Sequence, residues 1–332
     1  MRFSVVIATY KRADVLQDTL ESLSHLRSGA PWEVIVVDNN SPDHTRQVVE
    51  TAAAAFPVRL RYLFEKEQGR SAALNAGFQV AEGDILVTTD DDVRVDPDWL
   101  DHIEFGLASK QCDYVGGRVA PVWQSKPPRW VPLTNGRLWA VIALLDYGPQ
   151  SIQFAARVPL GVNMAMRREA IERIGGFDTR IGRKAGTLLG QEVREWCMRA
   201  TAAGLVGYYI PAMVVRHLIP RERLTKEYFR RWFYWRGISR AIMYARTGRD
   251  MEAPEQSRLD FSTVAHIAGV PRYLFRSAVT AVRDAIAATI RHDYVNAFER
   301  ELWLWMFAGI VKQRWHDRQQ PAPRPQRSLS GS

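Results

Sequence analysis

Short apolar runs alternate with stretches of helical spacing through the first hundred residues. Residues 3–8 form an apolar run of strand type. Leu16, Leu20 and Leu23 then recur at intervals of three and four, with Leu26 widening the stripe. Residues 34–37 are a second apolar run, ending in Asp38. Ser41-Pro42 next offers an N-cap and a proline at the first helical position, ahead of Val48, Val49, Ala52 and Ala53. Residues 60–64 read as a third strand, 71–81 as a helix stopped by Gly83, and 85–87 as a fourth strand. That fourth run leads into Asp90-Asp91-Asp92. Near-continuous apolar strands separated by helices predict an α/β fold whose mostly parallel sheet is covered on both faces.

Farther along, Asp96-Pro97 starts another helix and residues 114–119 form a strand. Residues 121–159, with Pro127-Pro128, Trp123, Trp130 and Trp139, read as loop-rich around a helix near 138–145. Short helices follow at 171–176 and 192–203, the latter ended by Gly204, then a strand at 206–210. After His217 the chain turns basic, aromatic and helical. From Gln319 it is rich in proline, arginine and serine, a composition expected to be disordered. The expected division is 1–218, comprising 1–95 and 96–218, then a basic helical region 219–318 and a tail 319–332.

Composition narrows the classes. Cys112 and Cys197 are the only two cysteines and lack metal-ligand spacing, which argues against a disulfide framework and for a reducing compartment. The first apolar run is broken by Thr9 and Lys11 and lacks a cleavage site, so no signal peptide is expected. The longest apolar stretches, such as 302–311, are half of the roughly 20 residues that span a bilayer. A cytoplasmic protein is therefore expected. The net charge of +9 is uneven: from Arg216 onward 21 Lys/Arg face 11 Asp/Glu, against 24 and 25 before it. A basic C-terminal third suits nucleic acid, anionic lipid or a polyanionic substrate.

In open parallel sheets, ligands bind beyond the carboxyl ends of the strands. Here those ends carry Thr9-Tyr10-Lys11-Arg12, then Asp38-Asn39-Asn40-Ser41, then Glu65, then the aspartate triplet. Any one such set can be a turn or helix cap; four at one rim are harder to explain so. Three adjacent carboxylates repel one another unless a cation is present. Hard divalent ions such as Mg²⁺ or Mn²⁺ take oxygen ligands of this kind, often with phosphate oxygens. Asp90 and Asp92 can share a task that Asp91 does not, because alternate residues project differently. A solvated acidic turn is the plainer alternative.

The chain resembles glycosyltransferase family 2, of GT-A (Rossmann-like) fold. The matching stretches are SVVIATYKR, VIVVDNNSPD, GRSAALNAG, ILVTTDDDVRVDPDWL, PLGVNMAMRREAIERIGGFD and LLGQEVREWCMRATAAGL, covering roughly 1–218. The resemblance implies a metal-dependent, inverting transfer of a sugar from a nucleotide diphosphate, a UDP-sugar by family habit, to an acceptor hydroxyl. It makes Thr9, Tyr10 and Arg12 the loop lining base and pyrophosphate, and Asp38, with Asn40 beside it, the contact to base or ribose. Arg70 and Asn75 match the helix start bordering the donor, where Asp91 also falls. Asp90 and Asp92 match the metal-binding DxD, and Gly161 and Asn163 a GxN motif on the acceptor side. Glu192 falls in the family's acidic motif before a helix, as its catalytic base, and Arg199 matches an arginine on that helix. The family commonly writes that motif Glu-Asp, but Val193 stands second here, which leaves Glu195 as the alternative base. His217 resembles a histidine that completes metal coordination; a structural histidine is the other reading.

Rival classes fit less well. A dinucleotide-binding oxidoreductase would need GxGxxG where this chain has TYKRAD, and a sugar nucleotidyltransferase a glycine-rich basic loop there. An adaptor would use residues 230–236, where arginines flank Trp232-Phe233-Tyr234-Trp235. That segment suits packing on the catalytic domain or an anionic membrane surface better than nucleic acid, which is not expected as a partner. The expected acceptor is a saccharide or lipid-linked saccharide of cell-envelope or extracellular polysaccharide synthesis, met peripherally at the inner membrane face.

Overall fold

The computed structural model describes residues 1–131, 138–155, 157–247 and 264–319. Strands β1 (Phe3–Thr9), β2 (Trp32–Asp38), β3 (Leu60–Phe64) and β4 (Ile85–Thr89) lie parallel in the order β3-β2-β1-β4. They are linked by α1 (Ala13–Ser24), α2 (Thr45–Ala53) and α3 (Arg70–Val80). All of β4 and nearly all of β1 and β2 are buried, which is why these strands read as continuous apolar runs.

The sheet continues through β5 (Val93–Val95), α4 (Trp99–Lys110), β6 (Tyr114–Trp123), β7 (Ile152–Gln153) and β8 (Asn163–Arg167). Then come α5 (Arg168–Ile174), α6 (Glu192–Ala202) and β9 (Gly207–Ile219). Its order is β4-β8-β6-β9-β5, with β7 on β9. β8 runs antiparallel to both β4 and β6, whereas β9 is parallel to β6. The α/β expectation holds, with an antiparallel strand in mid-sheet that the sequence did not announce.

Several local expectations change. Helix α2 starts at Thr45, not at Ser41-Pro42, because Asp43 Oδ1 accepts hydrogen bonds from Thr45 N (3.2 Å) and Oγ1 (2.5 Å). Gly83 does not stop α3. A Cβ there would lie 2.6 Å from the Phe3 carbonyl carbon and Ser4 nitrogen, so glycine permits close approach to β1. The helix expected near 138–145 is one 3-10 turn, Trp139–Ile142. Of the tail expected over 319–332, Gln319 ends α9, and 320–332 lie outside the described residues.

Contacts divide the chain into Met1–Trp232 and the segment from Phe233 onward. The second unit holds most of α7 (Lys226–Thr247), a small ribbon of β10 (His266–Ile267) and β11 (Val270–Pro271), and helices α8 (Arg272–Ile290) and α9 (Tyr294–Gln319). Its core gathers Ala241, Tyr244, Val270, Leu274, Met306 and Ile310. α7 and α9 touch backbone to backbone: a Cβ on Gly237 would lie 1.9 Å from the Met306 carbonyl oxygen, and one on Gly309 2.0 Å from that of Tyr234.

Candidate active site

The carboxyl ends of β1 and β4 open onto a cleft of about 380 Å³ within the first unit. Thr9, Tyr10 and Arg12 line it after β1, and Asp90, Asp91 and Asp92 after β4. His217 joins them through sheet register, since β9 places it opposite Val93, the residue after Asp92. Asp90, Asp92 and His217 each offer a ligand atom, and these atoms lie within 4.8 Å of one another.

The protonation pattern of that cluster suits a cation. His217 Nδ1 lies 3.2 Å from the Ile142 carbonyl oxygen, so Nδ1 carries the hydrogen. Its Nε2 then presents a lone pair, which accepts from Arg223 Nη1 at 3.2 Å. Asp92 Oδ1 lies 3.2 Å from the same Nε2 and, although buried, has no hydrogen-bond partner. Two electron-rich atoms facing each other, one of them an orphaned carboxylate oxygen, fit a divalent ion bound by Asp90, Asp92 and His217.

Arginines hold the carboxylates in place. Arg12 Nη1 bonds Asp91 Oδ1 at 2.6 Å and Asp92 Oδ2 at 2.7 Å, while Thr9 Oγ1 donates to Asp91 Oδ2 at 2.7 Å. Asp91 is thereby turned from the cluster that Asp90 and Asp92 share. Burial pushes the Asp91 carboxyl up, against the pull of Arg12. Burial alone would do the same to Asp92, but the Arg12 and Arg223 guanidinium groups pull its carboxyl down, below the usual range. Arg70 donates to Asp90 Oδ1 from Nε (3.1 Å) and Nη2 (2.7 Å), and its Nη1 lies 3.4 Å from Glu192 Oε1.

Other sequence-predicted residues sit behind this wall. Asp38 accepts from Ser41 N (2.9 Å) and from the Tyr62 hydroxyl (2.8 Å) and does not line the cleft. Burial and that carboxylate push the Tyr62 hydroxyl up to about 12. Asn40 is exposed in left-handed backbone, φ 65°. Asn75 is locked on the Phe177 backbone, through Nδ2 to its oxygen (2.7 Å) and Oδ1 from its nitrogen (2.8 Å). Gly161 gives Arg70 room, since a Cβ would lie 3.0 Å from Nη1. Asn163 is fully buried: Oδ1 accepts from Trp99 Nε1 (2.9 Å), and Nδ2 donates to the carbonyls of Arg118 (2.8 Å) and Met213 (2.9 Å).

Glu192 begins α6 just behind Arg70, buried, with Oε2 lacking a partner. Glu195 is instead clasped by Arg199, at 2.7 and 2.9 Å, and Arg199 also donates to the Gly176 carbonyl at 2.7 Å.

Part of the wall received no role from the sequence, including Asn39, which stood there only among the polar strand-end residues. Asn39 ties the end of β2 to the loop before α3, accepting from Gly69 N at 2.7 Å and donating to the Glu67 carbonyl at 2.7 Å. Arg183, Lys184 and Thr187 come from the loop before α6, which is anchored where Arg70 N donates to the Arg183 carbonyl at 2.8 Å. The local signal was the basic, glycine-bracketed run Gly182-Arg183-Lys184-Ala185-Gly186. Arg223, Tyr228 and Trp232 complete the wall from beyond β9.

A family model of glycosyl transferase family 2 matches residues 4–175, more than half of the chain. The chain belongs to that family. It is 25% identical over 248 residues to a glucosyl-dolichyl phosphate glucuronosyltransferase of Haloferax volcanii, covering 73% of this chain and 77% of that protein. It is 33% identical over 118 residues to a dolichol-phosphate mannosyltransferase of Pyrococcus furiosus, covering 36% and 33%. Its fold is similar to that of a Pyrobaculum calidifontis mannosyltransferase solved with GDP-Man and Mn²⁺, with a TM-score of 0.62 and 21% identity over 95% of this chain and 87% of that one. This family 2 enzyme is a glycosyltransferase of GT-A fold.

Proposed function

We propose that this glycosyltransferase moves a sugar, with inversion, from a nucleotide-diphosphate sugar to a hydroxyl of a lipid-linked saccharide. The cluster of Asp90, Asp92 and His217 carries the reading, because its orphaned oxygen and imidazole lone pair suit a divalent cation. Bound there, Mn²⁺ or Mg²⁺ would draw off charge from the departing diphosphate. Arg183 and Lys184 face the same cleft and add positive charge for the phosphates; neither side chain has a carboxylate within 4.0 Å among the described residues. Tyr10 and Trp232 offer aromatic surface to the base. The lipid-linked acceptor is supported by the names of the relatives acting on dolichyl phosphates. It would place the enzyme at the inner membrane face, and no helix among the described residues is long and apolar enough to cross the membrane.

A thermal-shift panel of nucleoside diphosphates, UDP first, tests the reading with and without Mn²⁺. A ligand that binds only the native state raises stability by RT ln(1 + [L]/Kd). One nucleotide should stand out, and only with the cation. A flat panel would overturn the proposal.

Glu192 is the proposed base. A sugar hydroxyl must lose its proton as it attacks the anomeric carbon, and Glu192 Oε2 is buried with no competing donor. Arg70 stands between Asp90 and Glu192, so acceptor entry on this side requires the guanidinium to yield. Glu192→Gln should retain nucleotide binding and slow transfer by about 10²–10⁴-fold. Glu195→Gln should slow it far less, since Glu195 is engaged by Arg199. The opposite ranking in single-turnover assays would pass the role to Glu195.

A further inference from the structure

Trp232 to Trp235, the segment that suggested a membrane contact, does not form an exposed patch. Trp232 lines the cleft, Phe233 packs on the second unit's core, and Tyr234 and Trp235 are half-buried. The unpartnered apolar surface lies elsewhere. On α8, Leu274, Ala281 and Ala288 are buried at heptad spacing and form the inward seam. On the outward side, Val279, Val282, Ile286 and Ile290 recur at intervals of three and four. They are 71%, 44%, 57% and 73% exposed. The helix thus has two apolar stripes, and the fold uses one.

We propose that α8 lies in the plane of an anionic phospholipid surface, with this outer stripe among the acyl chains. Its charges decide the occupant. Arg272, Arg276 and Arg283 are exposed and, at 100° per residue, run along one edge of the stripe. Asp284 is the helix's only acid and is held by Arg283 at 3.1 Å. Beyond the helix end, Arg291 and the 60% exposed Tyr294 extend the same mixture of cation and ring. An apolar stripe edged by arginine matches a surface with phosphates above and hydrocarbon below. A second copy fits poorly, because a two-fold contact would set arginine against arginine. Four aliphatic side chains along roughly 16 Å of helix also fall short of the ~800 Å² per partner of a stable interface. The proposal deepens the lipid-linked acceptor reading, yet binding can be measured with no acceptor present.

The test is co-sedimentation of the full chain with phosphatidylglycerol/phosphatidylcholine vesicles and with pure phosphatidylcholine. The protein should pellet with the anionic vesicles, and Val282→Glu with Ile286→Glu should weaken this about tenfold or more. Circular dichroism and the Mn²⁺-dependent nucleotide shift should stay unchanged. A milder pair, Val279→Ser with Ile286→Ser, should weaken binding less, and guards against misfolding of the first. Equal pelleting of wild type and variants would overturn the assignment, as would no pelleting at all. A dimer in sedimentation velocity that the glutamates dissolve would hand the stripe to a second copy. An intact nucleotide shift in any of these cases leaves the proposed transferase reading standing.

Discussion

Asp92→Asn should abolish cation-dependent nucleotide binding and lower transfer by about 10³-fold or more, with the fold retained. The substitution is isosteric, so packing around a 3% exposed side chain is preserved. What changes is charge: the amide turns the orphaned oxygen beside His217 Nε2 into part of a neutral group. Arg12 keeps its other partner, Asp91, at 2.6 Å, so the loop after β1 stays anchored. Without ligand the variant should melt somewhat lower, because Arg12 and Arg223 each lose an ion-pair partner, and only the wild type should gain stability when nucleotide and Mn²⁺ are added together. Full turnover by wild type in excess EDTA, or an unaltered nucleotide shift in Asp92→Asn, would remove the cation from the proposed mechanism.

The second large effect is structural. Asn163→Ala should lower Tm by roughly 10–20 °C rather than alter acceptor affinity. Removing the amide leaves the Trp99 indole N–H and the Arg118 and Met213 carbonyls without this partner in a closed interior. Each buried polar group so orphaned costs about 1–3 kcal/mol, and a domain's whole stability is about 5–15 kcal/mol. At a few degrees per kcal/mol for a unit of this size, the loss is plain in a melting curve. The backbone around it cannot shift to compensate, because Gly117 lies so close that a Cβ would meet the Met213 oxygen at 1.9 Å. A variant that melts like wild type while its acceptor KM rises would instead restore Asn163 to the acceptor side.

Strand ends were the legible part of this molecule. The runs at 3–8, 34–37 and 60–64 became β1, β2 and β3 within a residue or two; β1 and β2 are buried almost throughout and so mostly apolar, while β3 at the sheet edge buries only Leu60. β8 was invisible for the converse reason. Asn163-Met-Ala-Met-Arg167 contains no β-branched residue, and it is extended because β4 and β6 flank it on both sides. The family resemblance brought Asp90, Asp92 and His217 forward as one metal set, and their ligand atoms lie within 4.8 Å of one another. It could not separate residues that touch the cleft from those that brace it, so Asn75 and Asn163 look alike in sequence and are bound up in backbone contacts. Arg223 carried no signal at all. It lies in a short 3-10 turn after β9, where the chain simply reads as basic.

The floor of the cleft sets three aspartates against Arg12, Arg70 and Arg223, so its charges nearly cancel before any ligand arrives. A resting enzyme built this way owes its folded state to its own side chains, and a chelator should leave its melting temperature where it was. The same balance couples two affinities. A lone divalent cation meets guanidinium groups already in attendance, and a lone diphosphate meets three carboxylates. Each removes the other's obstacle, so by linkage each should tighten the other's binding by the same factor. Under the proposed mechanism selectivity would then belong to the pair: inorganic ions and stray phosphates would both be poor visitors, and the site would answer to a metal–nucleotide complex as a single ligand.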